Sequence, residues 1–171
     1  LPSRKTGPMV DHLLHDARVR VVSFTGSTEI GRVLLHSAAD QVLKPAMELG
    51  GNAPLIVFED ADLDVAVEGA MLAKMRNLGE ACTAANRFYV HKKIFDSFVT
   101  KFTAAMGALK TGNGLDPETD VGPLVNKSTK DKVSFFVKDA VAKGAEIKLG
   151  GEEISGPGFY YPPTVLTNVP E

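Results

Sequence analysis

Short runs rich in β-branched residues alternate with longer amphipathic segments along the 171 residues of this chain. This alternation restricts the fold more than any other feature, because strands that alternate with helices build parallel sheets covered by helices. The runs predict strands at residues 19–24, 44–49, 54–58, 87–90, 147–149 and 164–166. The amphipathic segments predict helices at residues 28–40, 60–76, 92–106 and 133–141. Their order predicts an α/β fold.

Apolar residues at helical spacing indicate which helix faces are buried. The clearest stripe lies in the predicted helix at 92–106 and comprises Phe95, Phe98, Val99, Phe102 and Met106. A second stripe, in the predicted helix at 133–141, comprises Val133, Phe136, Val137, Ala140 and Val141. We expect both stripes to face a core.

Composition excludes several classes of function. Nineteen basic against 21 acidic residues give a net charge of −2, which argues against a nucleic-acid partner. No apolar run approaches the roughly 20 residues that span a membrane. A single cysteine rules out an internal disulfide framework and favours a reducing, cytoplasmic location. His12 and His15 could share a helix face, but they lack a nearby third ligand, so no metal site is predicted.

Cys82, the single cysteine, lies among the small residues Gly79, Ala81 and 83–85. A free cysteine is often a buried, unreactive side chain, but small neighbours leave room for a substrate. The thiolate is the reactive form, so a catalytic cysteine needs surroundings that favour ionisation. If a helix begins near Cys82, its amides would stabilise both the thiolate and an oxyanion on a bound carbonyl. We therefore predict that Cys82 is a nucleophile.

Glu48 stands before the diglycine at 50–51, with apolar residues at 45–47 and at Leu49. A glutamate at a strand end is usually a surface carboxylate. A carboxylate enclosed by apolar side chains can instead serve as a general base. Together with Cys82, this pattern predicts that Glu48 is the base.

Arg76 lies near the end of the predicted helix at 60–76, a few residues before Cys82. A helix-dipole partner or a surface cation is the ordinary interpretation of such an arginine. Its guanidinium could instead hold a substrate carboxylate through two parallel hydrogen bonds. Both interpretations stay open on the sequence.

Gly26 and Ser27 lie where the first predicted strand meets the first predicted helix. Backbone amides at such a junction can bind a phosphate. Helix capping is the more common role of a serine here. The segment matches neither common nucleotide-binding glycine motif, so the residues by themselves name no cofactor.

Three segments resemble signature blocks of the aldehyde dehydrogenase superfamily: FTGSTEIG at 24–31, ELGGN at 48–52 and GEAC at 79–82. Their order and separation also fit that family, and the resemblance covers essentially the whole chain. Within the family, the residues at 76–77, 82 and 85–87 look most like the succinate-semialdehyde dehydrogenase branch. The resemblance implies a small aldehyde as substrate.

The resemblance implies a role for each candidate residue. Cys82 would add to the aldehyde carbon, and Glu48 would activate the water that hydrolyses the resulting thioester. Arg76 would bind the far carboxylate of succinate semialdehyde. The hydride would pass to NAD or NADP, and the branch favours NADP. The implied cofactor-binding residues are Gly26, Ser27, Thr28 and Leu49.

The resemblance also implies a domain organisation. Residues 1–47 would be the C-terminal part of the NAD(P)-binding domain, and residues 48–171 a partial catalytic domain. The chain matches the middle of the family's usual length, so we expect these residues alone to be inactive. The full enzyme is expected to be a homodimer or a homotetramer.

Two positions depart from the family pattern. Glu80 stands where the family usually has glutamine, and we expect its carboxylate to point away from the thiol. Ala84 stands where some relatives carry a second cysteine, so a redox-switch disulfide is not expected.

Three alternatives remain at this point. The chain could belong to a dehydrogenase for a different aldehyde, with a merely structural Arg76. It could also be an aldehyde dehydrogenase-like protein without catalytic activity. A cysteine hydrolase would need a histidine base, for which His91 is the nearest histidine after Cys82.

Overall fold

The structure, a computed structural model, describes residues 5–170. The predicted domain limits at residues 1 and 171 lie outside this range. The helices in this range are α1 (Thr6–Leu14), α2 (Thr28–Ala39), α3 (Leu63–Met75), α4 (Phe95–Gly107) and α5 (Lys127–Ala142), with a 3₁₀-helix at Arg76–Gly79. The strands are β1 (Val21–Gly26), β2 (Lys44–Leu49), β3 (Ala53–Val57), β4 (Ala85–Val90), β5 (Glu146–Leu149) and β6 (Val165–Thr167). Each predicted strand is present, with its ends displaced by at most two residues.

The chain forms two compact units, of which the first ends at Asn52 and the second begins at Ala53. In the first unit β1 and β2 pair in parallel, and α2 connects them. Parallel strands need such a crossover because the chain must return to the same end of the sheet. Four buried side chains form the core of this unit: Leu14, Val22, Ala38 and Leu43.

In the second unit β3 and β4 pair in parallel, and α3 forms their crossover. The core comprises Val57, Val67, Ala70, Phe98, Phe102, Met106 and Val165. The stripe predicted for the helix at 92–106 is confirmed at its centre, because Phe98, Phe102 and Met106 are between 2% and 6% exposed. The rings of Phe98 and Phe102 stack with centroids 5.6 Å apart. Helix α4 therefore supplies three of the seven buried side chains in this core.

The stripe predicted for α5 is only partly right. Val137 is buried, but Phe136 and Val141 are 55% and 41% exposed. The other buried positions of this helix are polar, Lys130 and Ser134. Burying them requires partners, and the segment between β5 and β6 supplies these. Lys130 Nζ donates to the Ile154 carbonyl at 2.9 Å, and Ser134 Oγ donates to Glu153 at 2.5 Å.

The hydrogen bond from Ser134 to Glu153 makes the attachment of α5 to the segment between β5 and β6 dependent on pH. It is the largest cause that lowers the pKa of Glu153 from its ordinary value of 4.5. A carboxyl whose pKa is lowered on folding stabilises the folded state above its unfolded pKa, and that stabilisation is lost as the pH falls through its folded pKa. We therefore expect Ser134→Ala to lower the free energy of unfolding at pH 7, by an amount that shrinks below about pH 4.

Denaturant unfolding of the purified chain between pH 7 and pH 3 measures this difference. Ser128→Ala is the matched control, because Ser128 is an exposed serine of the same helix. A difference between Ser134→Ala and the unsubstituted chain that stays constant over this range would contradict the prediction.

Candidate active site

Parallel pairing of β1 with β2 brings two distant parts of the sequence together. The register pairs Thr25 with Glu48 and Gly26 with Leu49. Both strands therefore end at the same edge of the sheet, the carboxyl edge at which open parallel sheets bind ligands. The predicted cofactor positions Gly26 and Leu49 lie side by side there, and the predicted base Glu48 is adjacent to them.

Helix α2 begins at this edge with Ser27 as its N-cap and Thr28 as its first residue. Ser27 Oγ accepts the N–H of Ile30 at a long 3.4 Å, so the hydroxyl is only weakly held. Gly26, Ser27 and Thr28 are all exposed. Small, exposed residues at a helix N-terminus suit an anionic group, which the helix dipole attracts. These residues therefore fit the diphosphate of a dinucleotide, besides the capping role of Ser27.

Leu49 is held against α2 by a close approach at Gly31. A Cβ atom at Gly31 would lie 2.7 Å from Leu49 Cδ2, so a larger residue would displace the leucine. Gly31 is buried and Leu49 is half-buried. The end of β2 is thus fixed by packing against the helix whose N-terminus is the candidate diphosphate site.

The apolar neighbours of Glu48 do not enclose it. Glu48 is exposed, whereas Met47 and Leu49 are half-buried. Successive side chains of a strand point to opposite faces, so the residues on either side of a strand glutamate cover the other face of the sheet. The argument that apolar flanks surround Glu48 is therefore wrong, although its place at the carboxyl edge agrees with a role as a base.

Cys82 is exposed in the loop of the second unit that connects α3 to β4, which comprises residues 76–84 and begins with the 3₁₀-helix. The loop closes with a turn in which the Ala84 N–H donates to the Ala81 carbonyl at 3.0 Å. The expected stabilisation of the thiolate required a helix that begins near Cys82. No helix begins there, because Ala84 is already buried and the chain enters β4 at Ala85. Stabilisation of the thiolate by a helix N-terminus is therefore not available at this position.

The backbone that leads to Cys82 is unusual. Asn77, Leu78 and Gly79 have φ angles of 52°, 56° and 75°, three successive left-handed residues. This conformation is natural for glycine and tolerable for asparagine, but it costs free energy for leucine. Such backbone strain concentrates at functional sites. It follows directly on Arg76, which is exposed and adjoins the end of α3.

Glu80, the residue that departs from the family pattern, is exposed. Its backbone N–H donates to the Asn77 carbonyl at 2.9 Å. Ala84 is buried, at 3% exposed.

Lys74 is a member of this site that the sequence did not reveal. Its ammonium Nζ donates to Asn86 Oδ1 at 2.6 Å, which joins the last turn of α3 to the start of β4. Burial lowers the pKa of Lys74, because a low-polarity environment disfavours the charged form. A lysine in the last turn of a helix is ordinarily a dipole partner, so its sequence position gave no signal of this contact.

The arrangement separates the candidate residues into two groups. Gly26, Ser27, Thr28, Glu48 and Leu49 share the first unit, while Arg76 and Cys82 share one loop of the second. His91 lies beyond the far end of β4, a six-residue strand, and is thus about 20 Å along the chain direction from the loop of Cys82. This distance removes the cysteine–histidine pairing that a hydrolase would need.

No cluster of three or more His, Cys, Asp or Glu side chains suited to a metal ion occurs among residues 5–170. No helix in the same range is long and apolar enough to cross a membrane.

Comparison with known proteins identifies the family. Residues 4–171 match the Aldehyde dehydrogenase family, and the chain belongs to it. The α/β, aldehyde dehydrogenase-like fold inferred from the three sequence blocks is thereby confirmed.

Three similar proteins illustrate the relationship. A succinate-semialdehyde dehydrogenase of Paenarthrobacter nicotinovorans is 58% identical over 158 residues, covering 92% of this chain and 35% of that protein. A glutarate-semialdehyde dehydrogenase of Pseudomonas putida is 48% identical over 165 residues, covering 96% and 34%. The crystal structure of an E. coli NADP-dependent enzyme superposes with a TM-score of 0.91 at 46% identity, covering 96% and 34%. The chain thus spans about a third of the length of the relatives it matches.

Proposed function

We propose that the whole protein oxidises an aldehyde to its carboxylic acid with NAD or NADP, and that succinate semialdehyde is the substrate. The observation that carries the proposal is the β1–β2 register, which sets Gly26 and Leu49 side by side at a carboxyl edge. Membership of the aldehyde dehydrogenase family supports the reaction class. In this proposal residues 1–47 close the cofactor domain, and residues 48–171 belong to the catalytic domain of a cytoplasmic enzyme.

In the proposed chemistry, the bond to the substrate is formed and later broken at the Sγ atom of Cys82. This Sγ adds to the aldehyde carbon, and a proton equivalent to the one lost by the thiol is taken up by the aldehyde oxygen, which gives a thiohemiacetal. A bound NAD or NADP would supply the acceptor for the hydride of this carbon, and the hydroxyl proton would leave to solvent as the thioester carbonyl forms. Glu48 then removes a proton from water, the water oxygen attacks the thioester carbon, and the carbon–sulfur bond breaks. The acid leaves, and the proton that Glu48 took from water passes to the released sulfur, which regenerates the thiol of Cys82 and the carboxylate of Glu48.

The cofactor would rest on the first unit. Backbone amides at the start of α2 and the hydroxyls of Ser27 and Thr28 would hold the diphosphate, and Leu49 would lie near the nicotinamide. Similarity to the E. coli NADP-dependent enzyme favours NADP over NAD. Because the chain spans about a third of its relatives, we also propose that these residues alone do not turn over substrate.

Arg76 would select the substrate by binding its distant carboxylate. Arg76 is exposed on the same loop as Cys82, and the proposal requires that the carboxylate and the aldehyde of one short substrate reach these two residues together. Glutarate semialdehyde is a second candidate, since the Pseudomonas putida relative bears that name. The two substrates differ only in the span between their reactive ends.

Substitution of Arg76 tests this selection. In the full-length enzyme, Arg76→Ala is expected to raise the KM for succinate semialdehyde by about 10- to 100-fold, the loss expected for a charge-assisted hydrogen-bonded pair. The KM for butanal, which has the same length without the carboxylate, should change little. Steady-state NAD(P)H formation with both aldehydes and with glutarate semialdehyde gives the comparison.

Lys138→Ala is the matched control, because it removes an exposed cation from α5 in the same unit. Equal increases in KM for succinate semialdehyde and butanal would remove the carboxylate-binding role of Arg76. If the unsubstituted enzyme has a lower KM for glutarate semialdehyde than for succinate semialdehyde, glutarate semialdehyde replaces succinate semialdehyde as the proposed substrate.

A further inference from the structure

The loop that carries Arg76 and Cys82 is closed at its base by one hydrogen bond. Lys74 lies in the last turn of α3, and Asn86 is the second residue of β4. Lys74 Nζ donates to Asn86 Oδ1 at 2.6 Å. Every residue of the loop, including Arg76 and Cys82, lies in sequence between these two partners.

The same lysine also lies under the middle of the loop. A Cβ atom at Gly79 would approach the Lys74 carbonyl oxygen to 2.9 Å and Lys74 Nζ to 3.3 Å. Gly79 has a φ of 75°, which a residue with a side chain adopts only at a cost. Gly79, the last residue of the left-handed segment, therefore lies against Lys74, so this one residue adjoins both the base and the middle of the loop.

Filling this space with a lysine side chain costs desolvation free energy. Lys74 is half-buried, so its ammonium group loses part of its contact with water, at a cost in free energy that a single amide acceptor returns only in part. Consistent with that cost, burial lowers the pKa of Lys74. An apolar side chain of similar length, such as methionine, would fill the same volume without the penalty. Packing alone therefore does not account for a lysine at this position.

We propose that Lys74 is a positioning residue that, through Asn86 and Gly79, fixes the loop in the conformation that presents Cys82 to the substrate. This role rests on the proposed function, because it is defined by the reaction at Cys82. A reacting atom misplaced by about 1 Å can reduce a rate by about a hundredfold. Lys74 thus affects the rate of the chemical step with any aldehyde. Arg76, in contrast, affects the binding of a substrate carboxylate.

The test uses Lys74→Met, Asn86→Leu and the double variant in the full-length enzyme. Each single substitution is expected to lower kcat by about 10- to 100-fold with both succinate semialdehyde and butanal. Because the two side chains act as one pair, the double variant should be no slower than the slower single variant. Lys74→Arg, which keeps a cationic donor, should restore part of the rate. Lys101→Met, at an exposed lysine of α4, is the control and should leave kcat unchanged.

Thermal unfolding of each variant separates positioning from folding. We expect Lys74→Met to remain folded at the assay temperature. An unchanged kcat in Lys74→Met would overturn the proposal, as would losses that multiply in the double variant. A loss of rate that only follows the unfolded fraction would overturn it as well.

Alkylation of Cys82 by iodoacetamide, followed by mass spectrometry of the peptide that contains it, needs no substrate. We expect the alkylation rate of Lys74→Met to differ several-fold from that of the unsubstituted enzyme, while Lys101→Met matches the latter. Identical rates in all three proteins would overturn the role of Lys74. If the unsubstituted enzyme oxidises no aldehyde, the proposed function fails, and a difference in alkylation would still support Lys74 as the residue that sets the loop of Cys82.

Discussion

Replacement of Cys82 by serine in the full-length enzyme is expected to abolish aldehyde-dependent NAD(P)H formation, with a fall in kcat of at least about a thousandfold. A serine hydroxyl is a far weaker nucleophile at neutral pH than a thiol, of which a few per cent is ionised. The exposed position of Cys82 means that the substitution removes little packing. We therefore expect the thermal unfolding temperature to stay close to that of the unsubstituted enzyme.

Thr83→Ser is the matched control for this change, because it alters the exposed neighbour of Cys82 by one methyl group. Its kcat should remain within a few-fold of the unsubstituted value. Aldehyde oxidation that survives in Cys82→Ser would assign the nucleophile to another residue.

Replacement of Glu48 by glutamine is expected to stop the reaction after the thioester has formed. Glutamine keeps the shape of the side chain but cannot take a proton from water, so hydrolysis should slow by about 10²- to 10⁴-fold. Rapid mixing should then show one equivalent of NAD(P)H formed in a burst, followed by slow turnover. Intact-protein mass spectrometry should detect the acyl group on Cys82.

Glu68→Gln, at an exposed carboxylate of α3, is the control and should give no burst. If the burst is lost together with turnover, Glu48 acts before the thioester and its step is the deprotonation of Cys82. Unchanged steady-state kinetics in Glu48→Gln would exclude this carboxylate from the reaction.

The strands and the core of α4 were predictable because their signals are local. A strand needs only a short β-branched run, and Phe98, Phe102 and Met106 repeat at the spacing of one helix face. Helix α1 was missed because Gly7 and Pro8 suggest a loop, although proline is tolerated in the first turn of a helix. The inward face of α5 was misjudged because the partners of Ser134 come from a segment after β5, which no local pattern reveals.

The sequence indicated which residues are candidates for catalysis, but it did not indicate the surroundings of those residues. The family blocks indicated Cys82 and Glu48 directly. The surroundings of these residues depend on tertiary structure, so the exposure of Glu48 and the turn at Cys82 differed from expectation. Lys74 could not have been found from sequence, because its role depends on a contact with Asn86 across the loop.

The pairing of β1 with β2 also limits how this chain can vary in length. Side chains alternate between the two faces of a strand, so a shift of one residue in the register would exchange the places of Glu48 and Leu49. Surface connections usually accept insertions and deletions. The turn between α2 and β2, at residues 40–42, is exposed, so a change of its length would be tolerated only if it left this register in place. An insertion or deletion that moved β2 by one residue would turn the Glu48 carboxylate towards the helix and an apolar side chain towards the solvent.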